Sequence, residues 1–183
     1  MLYDMNNCFK QIDLKIKFNG SLSDLKSDLH MSHSKWQKYG LSLKKDVDYD
    51  PAIVNTFEVS DKIKSEVLST IPKELLNIEI PHVWYLEATG SDDITTMVPP
   101  HIDKFRICTI NHYINTNGET THYYNYESGV IKEIDSFCSN DNECWILNTT
   151  IPHSVKLIPN KKRSIIGASF LVTPFEKVIS FFS

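Results

Sequence analysis

A mainly β chain of the sandwich or jelly-roll type is predicted by two observations. From about residue 79 onward the apolar residues recur in short β-rich runs, and a turn signal closes each run. The runs are Val83 to Glu87, Ile107 to Ile114, Thr120 to Tyr126, Val130 to Ile134, Cys144 to Leu147, Ser154 to Ile158 and Ser164 to Val172. Between them lie Thr89-Gly90-Ser91, Asn115 to Gly118, Ser128-Gly129, Ser139 to Asn142 and Pro159-Asn160, built from residues that favour turns for their own backbone reasons. Several short strands at that spacing bury their apolar faces by stacking two sheets or by winding into a jelly roll.

The first part of the chain has another character. Up to about residue 75 it is rich in Lys, Asp and Ser, and two stretches carry helical spacing. Leu22, Leu25 and Leu29 follow Ser21, and Ile63, Val67 and Ile71 follow Ser60, a residue type suited to capping a helix. These predict amphipathic helices that buttress a sheet. No linker composition separates the two parts, so the expectation is one domain over residues 1–183, with a helical N-terminal part (1–78) and a jelly-roll core (79–174). At 183 residues and 41% hydrophobic, the chain buries a proper core.

Charge and cysteine content exclude several function classes. A net charge of -4 and a pI near 6.0 provide no electrostatic footprint for nucleic acid or an anionic membrane, and Lys161-Lys162-Arg163 is too short a cluster to alter that. The four cysteines, Cys8, Cys108, Cys138 and Cys144, lack CxxC or zinc spacing and are expected as free thiols in a reducing cytoplasm. The N-terminus carries no secretory pattern, and the longest apolar run, Ile165 to Val172, is far short of the ~20 residues that span a bilayer. A soluble protein is expected.

The chemistry concentrates in the second half. Pro100-His101-Ile102-Asp103 places two metal-ligating side chains two residues apart, which on a strand points both to one face and Ile102 to the other. His153, in Ile151-Pro152-His153-Ser154, completes a facial set of two imidazoles and one carboxylate. Such a set leaves the opposite positions of the ion open and suits non-haem Fe(II). Arg163 follows His153 by ten residues. Its planar guanidinium grips a carboxylate through two parallel hydrogen bonds and stays charged when buried. A strand beginning at Arg163 is expected to run antiparallel beside the one carrying His153, which would bring the anchor near the metal.

These residues also carry a family resemblance. Val98-Pro99-Pro100-His101-Ile102-Asp103, then Cys144-Trp145-Ile146-Leu147-Asn148-Thr149-Thr150-Ile151-Pro152-His153-Ser154-Val155, then Arg163, resembles the 2-oxoglutarate- and Fe(II)-dependent oxygenases, within them the aspartyl/asparaginyl β-hydroxylase-like branch with its proline hydroxylases. The resemblance covers roughly residues 80 to 172. It implies a double-stranded β-helix core, cupin-like, with helices from the N-terminal part against one sheet. It implies His101, Asp103 and His153 as iron ligands, Arg163 as the grip on the distal carboxylate of 2-oxoglutarate, and His112 as a further contact to the 2-oxo acid. The branch often has an arginine two residues before that histidine, where this chain has Ile110. Cofactors would be Fe(II), 2-oxoglutarate and dioxygen (O2). The implied activity is hydroxylation of a C–H bond of an amino-acid-like or peptidyl substrate, with release of succinate and carbon dioxide.

Other residues have weaker claims. Arg106 is a candidate contact for an acidic substrate, against the plainer reading of an exposed strand-start arginine. The stretch His122-Tyr123-Tyr124-Asn125-Tyr126 alternates, so one face shows His122, Tyr124 and Tyr126 and the other Thr121, Tyr123 and Asn125. One of these tyrosines is expected to donate to 2-oxoglutarate or line the substrate pocket, and Tyr124 is the substrate-binding candidate. Trp36, Trp84 and Trp145 are expected in the core. Trp36-Gln37-Lys38-Tyr39 is the candidate lid or substrate wall, and His30 and His33 are expected at the surface. Two alternatives stand beside the oxygenase: a jelly-roll binding module without turnover, and a cupin metalloenzyme that does not use 2-oxoglutarate.

Overall fold

The computed structural model describes residues 7–16, 25–31, 50–51, 53–90, 96–127 and 130–182. Its strands are β1 (Phe9–Ile12), β2 (Leu25–Met31), β3 (Asp50–Pro51), β4 (Ile53–Val59), β5 (His82–Thr89), β6 (Thr96–His101), β7 (Cys108–Asn115), β8 (Thr120–Glu127), β9 (Val130–Cys138), β10 (Cys144–Asn148), β11 (His153–Lys156) and β12 (Lys162–Phe170). Among the described residues the helices are α1 (Asp61–Thr70), α2 (Lys73–Leu76) and α3 (Phe175–Ile179).

The strands form a seven-stranded sheet in the order β1-β10-β7-β12-β5-β4-β2 and a five-stranded sheet in the order β3-β6-β11-β8-β9. From β5 to β12 the chain changes sheet at every step except the β8–β9 hairpin. The result is two interleaved four-stranded sets, β10-β7-β12-β5 and β6-β11-β8-β9, paired antiparallel throughout. That winding is a double-stranded β-helix, the jelly roll expected above.

Alternation along the larger sheet separates two buried layers. On its outer face Val83, Tyr85, Cys108, Ile110, Cys144, Ile146, Ile166, Ala168 and Phe170 pack with Ile63 and Val67 of α1 and Phe175 and Val178 of α3. On its inner face Trp84, Tyr113, Leu147 and Ile165 meet Tyr123 and Phe137 from the smaller sheet. The outer layer is almost wholly apolar. The inner layer also buries Thr109, Asn111, Arg163 and Ser169, all 6% exposed or less.

The N-terminal part departs from expectation. Ser60 does cap α1, its Oγ accepting from the Ile63 N–H at 3.4 Å, and Ile63 and Val67 are buried as the spacing required. The other predicted helix, on Leu22, Leu25 and Leu29, is instead a strand over its described residues. Leu25 to Met31 pairs antiparallel with β4, which in turn extends the larger sheet from β5. An available sheet edge outweighs helical spacing there. Residues 21–24 and 32–49, with the candidate lid Trp36-Gln37-Lys38-Tyr39 and His33, lie outside the described residues. No helix among the described residues is long and apolar enough to cross a membrane.

Candidate metal centre

His101 and His153 are brought together by strand pairing. β6 ends at His101, β11 begins at His153, and the two residues are direct partners in the ladder, their rings 4.5 Å apart. Asp103 arrives differently from the alternation argument. β6 has ended two residues earlier, and Asp103 sits in the loop to β7, where its N–H donates to the Thr149 carbonyl at 3.1 Å. The same loop is held again by Thr149, whose hydroxyl donates to the Arg106 carbonyl at 2.7 Å. The β10–β11 connection therefore positions the carboxylate, and Pro152 then delivers the chain to His153.

The three side chains converge. Their ligand atoms all lie within 4.8 Å of one another. His101 Nε2 is 3.6 Å from Asp103 Oδ1, and His153 Nε2 is 3.9 Å from Asp103 Oδ2. His153 Nδ1 lies 2.9 Å from the Ile151 carbonyl oxygen. A carbonyl only accepts, so Nδ1 carries the proton and the Nε2 lone pair faces the cluster, as a metal-binding imidazole requires.

Electrostatics match that use. Burial pushes the Asp103 carboxyl up, but the Arg106 guanidinium and the two histidines outweigh burial and hold it well below the usual carboxylate range. Burial, with the neighbouring His101, pushes the His153 imidazole down to about 4, against the opposing pull of Asp103. A charged carboxylate beside a neutral imidazole is the protonation state that binds a divalent ion. The donor set of two nitrogens and one oxygen fits Fe(II).

Arg163 reaches the interior from the opposite sheet. β12 lies between β5 and β7 in the larger sheet, while β11 pairs with β6 and β8 in the smaller one. The expected strand adjacency of Arg163 and His153 therefore does not occur, because consecutive strands of this winding alternate between sheets. Arg163 instead points inward, 4% exposed, its Nη2 donating to the Thr121 hydroxyl of β8 at 3.2 Å and its Cζ 4.9 Å from the Tyr113 ring centroid. Among the described residues Arg163 Nε, Tyr113 Oη and Tyr123 Oη are buried without a hydrogen-bond partner. The Tyr123 ring is 5.7 Å from that of His153, and the Tyr113 ring lies against the guanidinium, so one tyrosine neighbours the triad and the other Arg163. Each unpaired buried donor costs about 1–3 kcal/mol, and a bound anion would supply the acceptor. Tyr113 has no signal in the sequence, and Tyr123 is one of three tyrosines in its stretch with an equal claim there. The alternation of residues 122–126 defines two faces but not which one looks inward.

The other predicted residues do not all join the site. His112 shares the outer face of β7 with Cys108 and Ile110, and its Nδ1 lies 3.2 Å from Cys144 Sγ in the apolar helix layer. Strand parity thus turns it away from the triad, and burial pushes its pKa down. Tyr124 is also on the outer side of its sheet, stacked on His122 and hydrogen-bonded to the Ser154 hydroxyl at 2.7 Å, because Thr121 and Tyr123 take the inner positions of β8. Arg106 does belong to the site, but its Nε donates to Asp103 Oδ2 at 2.5 Å. None of the four cysteines forms a disulfide, and three of them are buried.

No protein-family model matches the chain, and no curated protein matches it in sequence. Solved structures similar to it include the Escherichia coli ribosomal oxygenase YcfD (12% identity, TM-score 0.47, 94% of this chain and 50% of that one). Others are a Pseudomonas putida prolyl-4-hydroxylase (10%, TM-score 0.40, 81% and 78%) and a predicted oxalate decarboxylase from Thermotoga maritima (11%, TM-score 0.34, 83% and 97%). The chain spans about half the length of the E. coli oxygenase. With identities this low and overlaps this partial, the roles of residues are read from this chain itself.

Proposed function

We propose that the protein is an Fe(II)- and 2-oxoglutarate-dependent dioxygenase that hydroxylates a C–H bond of an amino-acid-like or peptidyl substrate. The observation that carries this reading is the pairing of the His101-Asp103-His153 cluster, its two histidines buried and its carboxylate nearly so, with a buried guanidinium whose Nε, together with two tyrosine hydroxyls, has no partner. A metal site alone would not need that second group.

His101, Asp103 and His153 would hold Fe(II), and Arg163 would grip the far carboxylate of the 2-oxo acid with Tyr113 and Tyr123 donating beside it. The bound ion with 2-oxoglutarate and dioxygen supplies the oxidising chemistry, with succinate and carbon dioxide as co-products. The chain's own contribution is positioning and enclosure. Asp103 stays charged, His153 stays neutral with Nε2 forward, and the two sheets keep bulk water from the reacting groups. Thr109 and Asn111 line the inner face of β7, where a hydrogen-bonding substrate suits them better than a hydrocarbon. A small molecule or peptide is therefore the proposed partner, and the cytoplasm the proposed compartment.

The test is anaerobic titration of the apoprotein with Fe(II) and 2-oxoglutarate, followed by visible absorption. A metal-to-ligand charge-transfer band that His153→Ala abolishes and Arg163→Ala weakens is expected. Metal binding with no band at any 2-oxoglutarate concentration would favour a cupin chemistry without that cosubstrate. His112 as a fourth ligand would have favoured the same alternative, and it lies in the other layer.

A further inference from the structure

We infer that Arg106, seated on the ring of Trp84, is the positioning residue that fixes Asp103 as a one-oxygen ligand of the metal. The inference rests on the metal-centre reading above. Asp103 is the one member of the triad that no strand holds, so its carboxylate orientation needs another source. Arg106 provides it: Nε donates to Oδ2 at 2.5 Å, far closer than the 3.9 Å from that oxygen to His153 Nε2, while Oδ1 faces His101 Nε2 at 3.6 Å. A guanidinium on one oxygen competes with any second metal–oxygen bond. The carboxylate is thereby restricted to one coordination position, and more of the ion is left for incoming ligands.

The guanidinium is itself held. Its Cζ lies 4.8 Å from the Trp84 ring centroid, a cation-on-ring seat that a planar, permanently charged group uses well. Trp84 in turn has a single available place. Its indole N–H donates to the Ser169 hydroxyl at 2.6 Å, and its ring lies across Gly167, where an added Cβ would come within 2.1 Å of Cζ2. The absent side chain at Gly167 makes the shelf. A relay of contacts thus runs from β12 through β5 to the loop carboxylate, crossing from the larger sheet to a ligand set otherwise built on the smaller one.

The experiment is Co(II) titration of the wild-type chain and of R106K, R106A, W84L and the exposed control K132A, recording the dissociation constant by calorimetry and the visible Co(II) spectrum. Thermal denaturation verifies folding of each variant. R106A is expected to weaken Co(II) binding by about 10–100-fold, the usual effect of losing a group that orients a metal ligand. It should also dim the visible band, as the freed oxygen joins the ion and raises its coordination number. R106K should recover part of the affinity, since a lysine restores charge without the stacked fork. W84L should move both readouts in the same direction as R106A, and K132A neither. A wild-type chain that binds no Co(II) would overturn the metal centre and this inference with it. A wild type that binds, matched in affinity and spectrum by R106A and W84L, would overturn the positioning role alone.

Discussion

His112 and His153 are both buried, and burial pushes both imidazoles toward the neutral form. They differ in the layer they face. His112 lies in the apolar layer beneath the helices, its Nδ1 beside the Cys144 thiol. His153 lies between the sheets, its Nδ1 anchored on a carbonyl and its Nε2 turned to a carboxylate. Burial and neutrality therefore do not mark a ligand. The mark is a free nitrogen aimed at a second and third donor, held there by what the first nitrogen bonds.

The largest test of this contrast is to exchange the two. His153→Ala should abolish Fe(II) or Co(II) binding, whereas His112→Leu should leave the metal dissociation constant unchanged, both read by calorimetry. Equal losses would mean that the layers are not functionally distinct. Arg163 offers the next effect, with opposite signs in two readouts. Arg163→Met removes a buried charge with an unpaired Nε, so the melting temperature of the ligand-free protein should rise. The same change should weaken 2-oxoglutarate binding to the Fe(II) form by about 2–5 kcal/mol. A fall in both would show the guanidinium to be structural.

Gly167→Ala should destabilise the fold by about 1–3 kcal/mol in urea unfolding, because the new methyl group overlaps the Trp84 ring. It should also weaken metal binding, although Gly167 touches no ligand. Near neutral pH the smallest effect is the response to pH. His153 takes up a proton near 6.5 in the unfolded chain but only near 4 when folded, so the unfolded state binds more protons in that window. The ligand-free protein should then be at its full stability above about pH 6.5 and lose some as the pH falls toward 4. His112 contributes in the same direction. Saturating metal, by keeping the folded imidazole unprotonated, should extend that loss to lower pH, and His112→Leu should not.

Much of the core was legible because its short β-rich runs are closed by turn residues, as in Thr120–Glu127 and Lys162–Phe170. The strand carrying Pro99 and Pro100 was less so, since proline reads against a sheet interior. β2 was hidden by a leucine spacing that also fits a helix, and only the pairing with β4 decides it. At the site, the residue types His101, Asp103, His153 and Arg163 stood out, but their means of assembly did not. The sequence carries no sign that Asp103 lies past the end of its strand or that Arg163 approaches from the opposite sheet. The Asp103–Arg106 pair, three residues apart, was available as a local signal. Parity decides the fates of His112, Tyr123 and Tyr124, and parity becomes readable only once one inward residue on each strand is known.

The alternation of the chain between sheets has a kinetic consequence. β12 is inserted between β5 and β7, and β11 between β6 and β8, so both sheets keep a gap until the last strands arrive. Closing such long loops makes folding slow and places these pairings late. His153 and Arg163 enter with those strands. During synthesis, the chain therefore cannot bring His153 and Arg163 into the interior until nearly all of the jelly roll has been made, so the candidate metal cluster cannot form on a half-built protein.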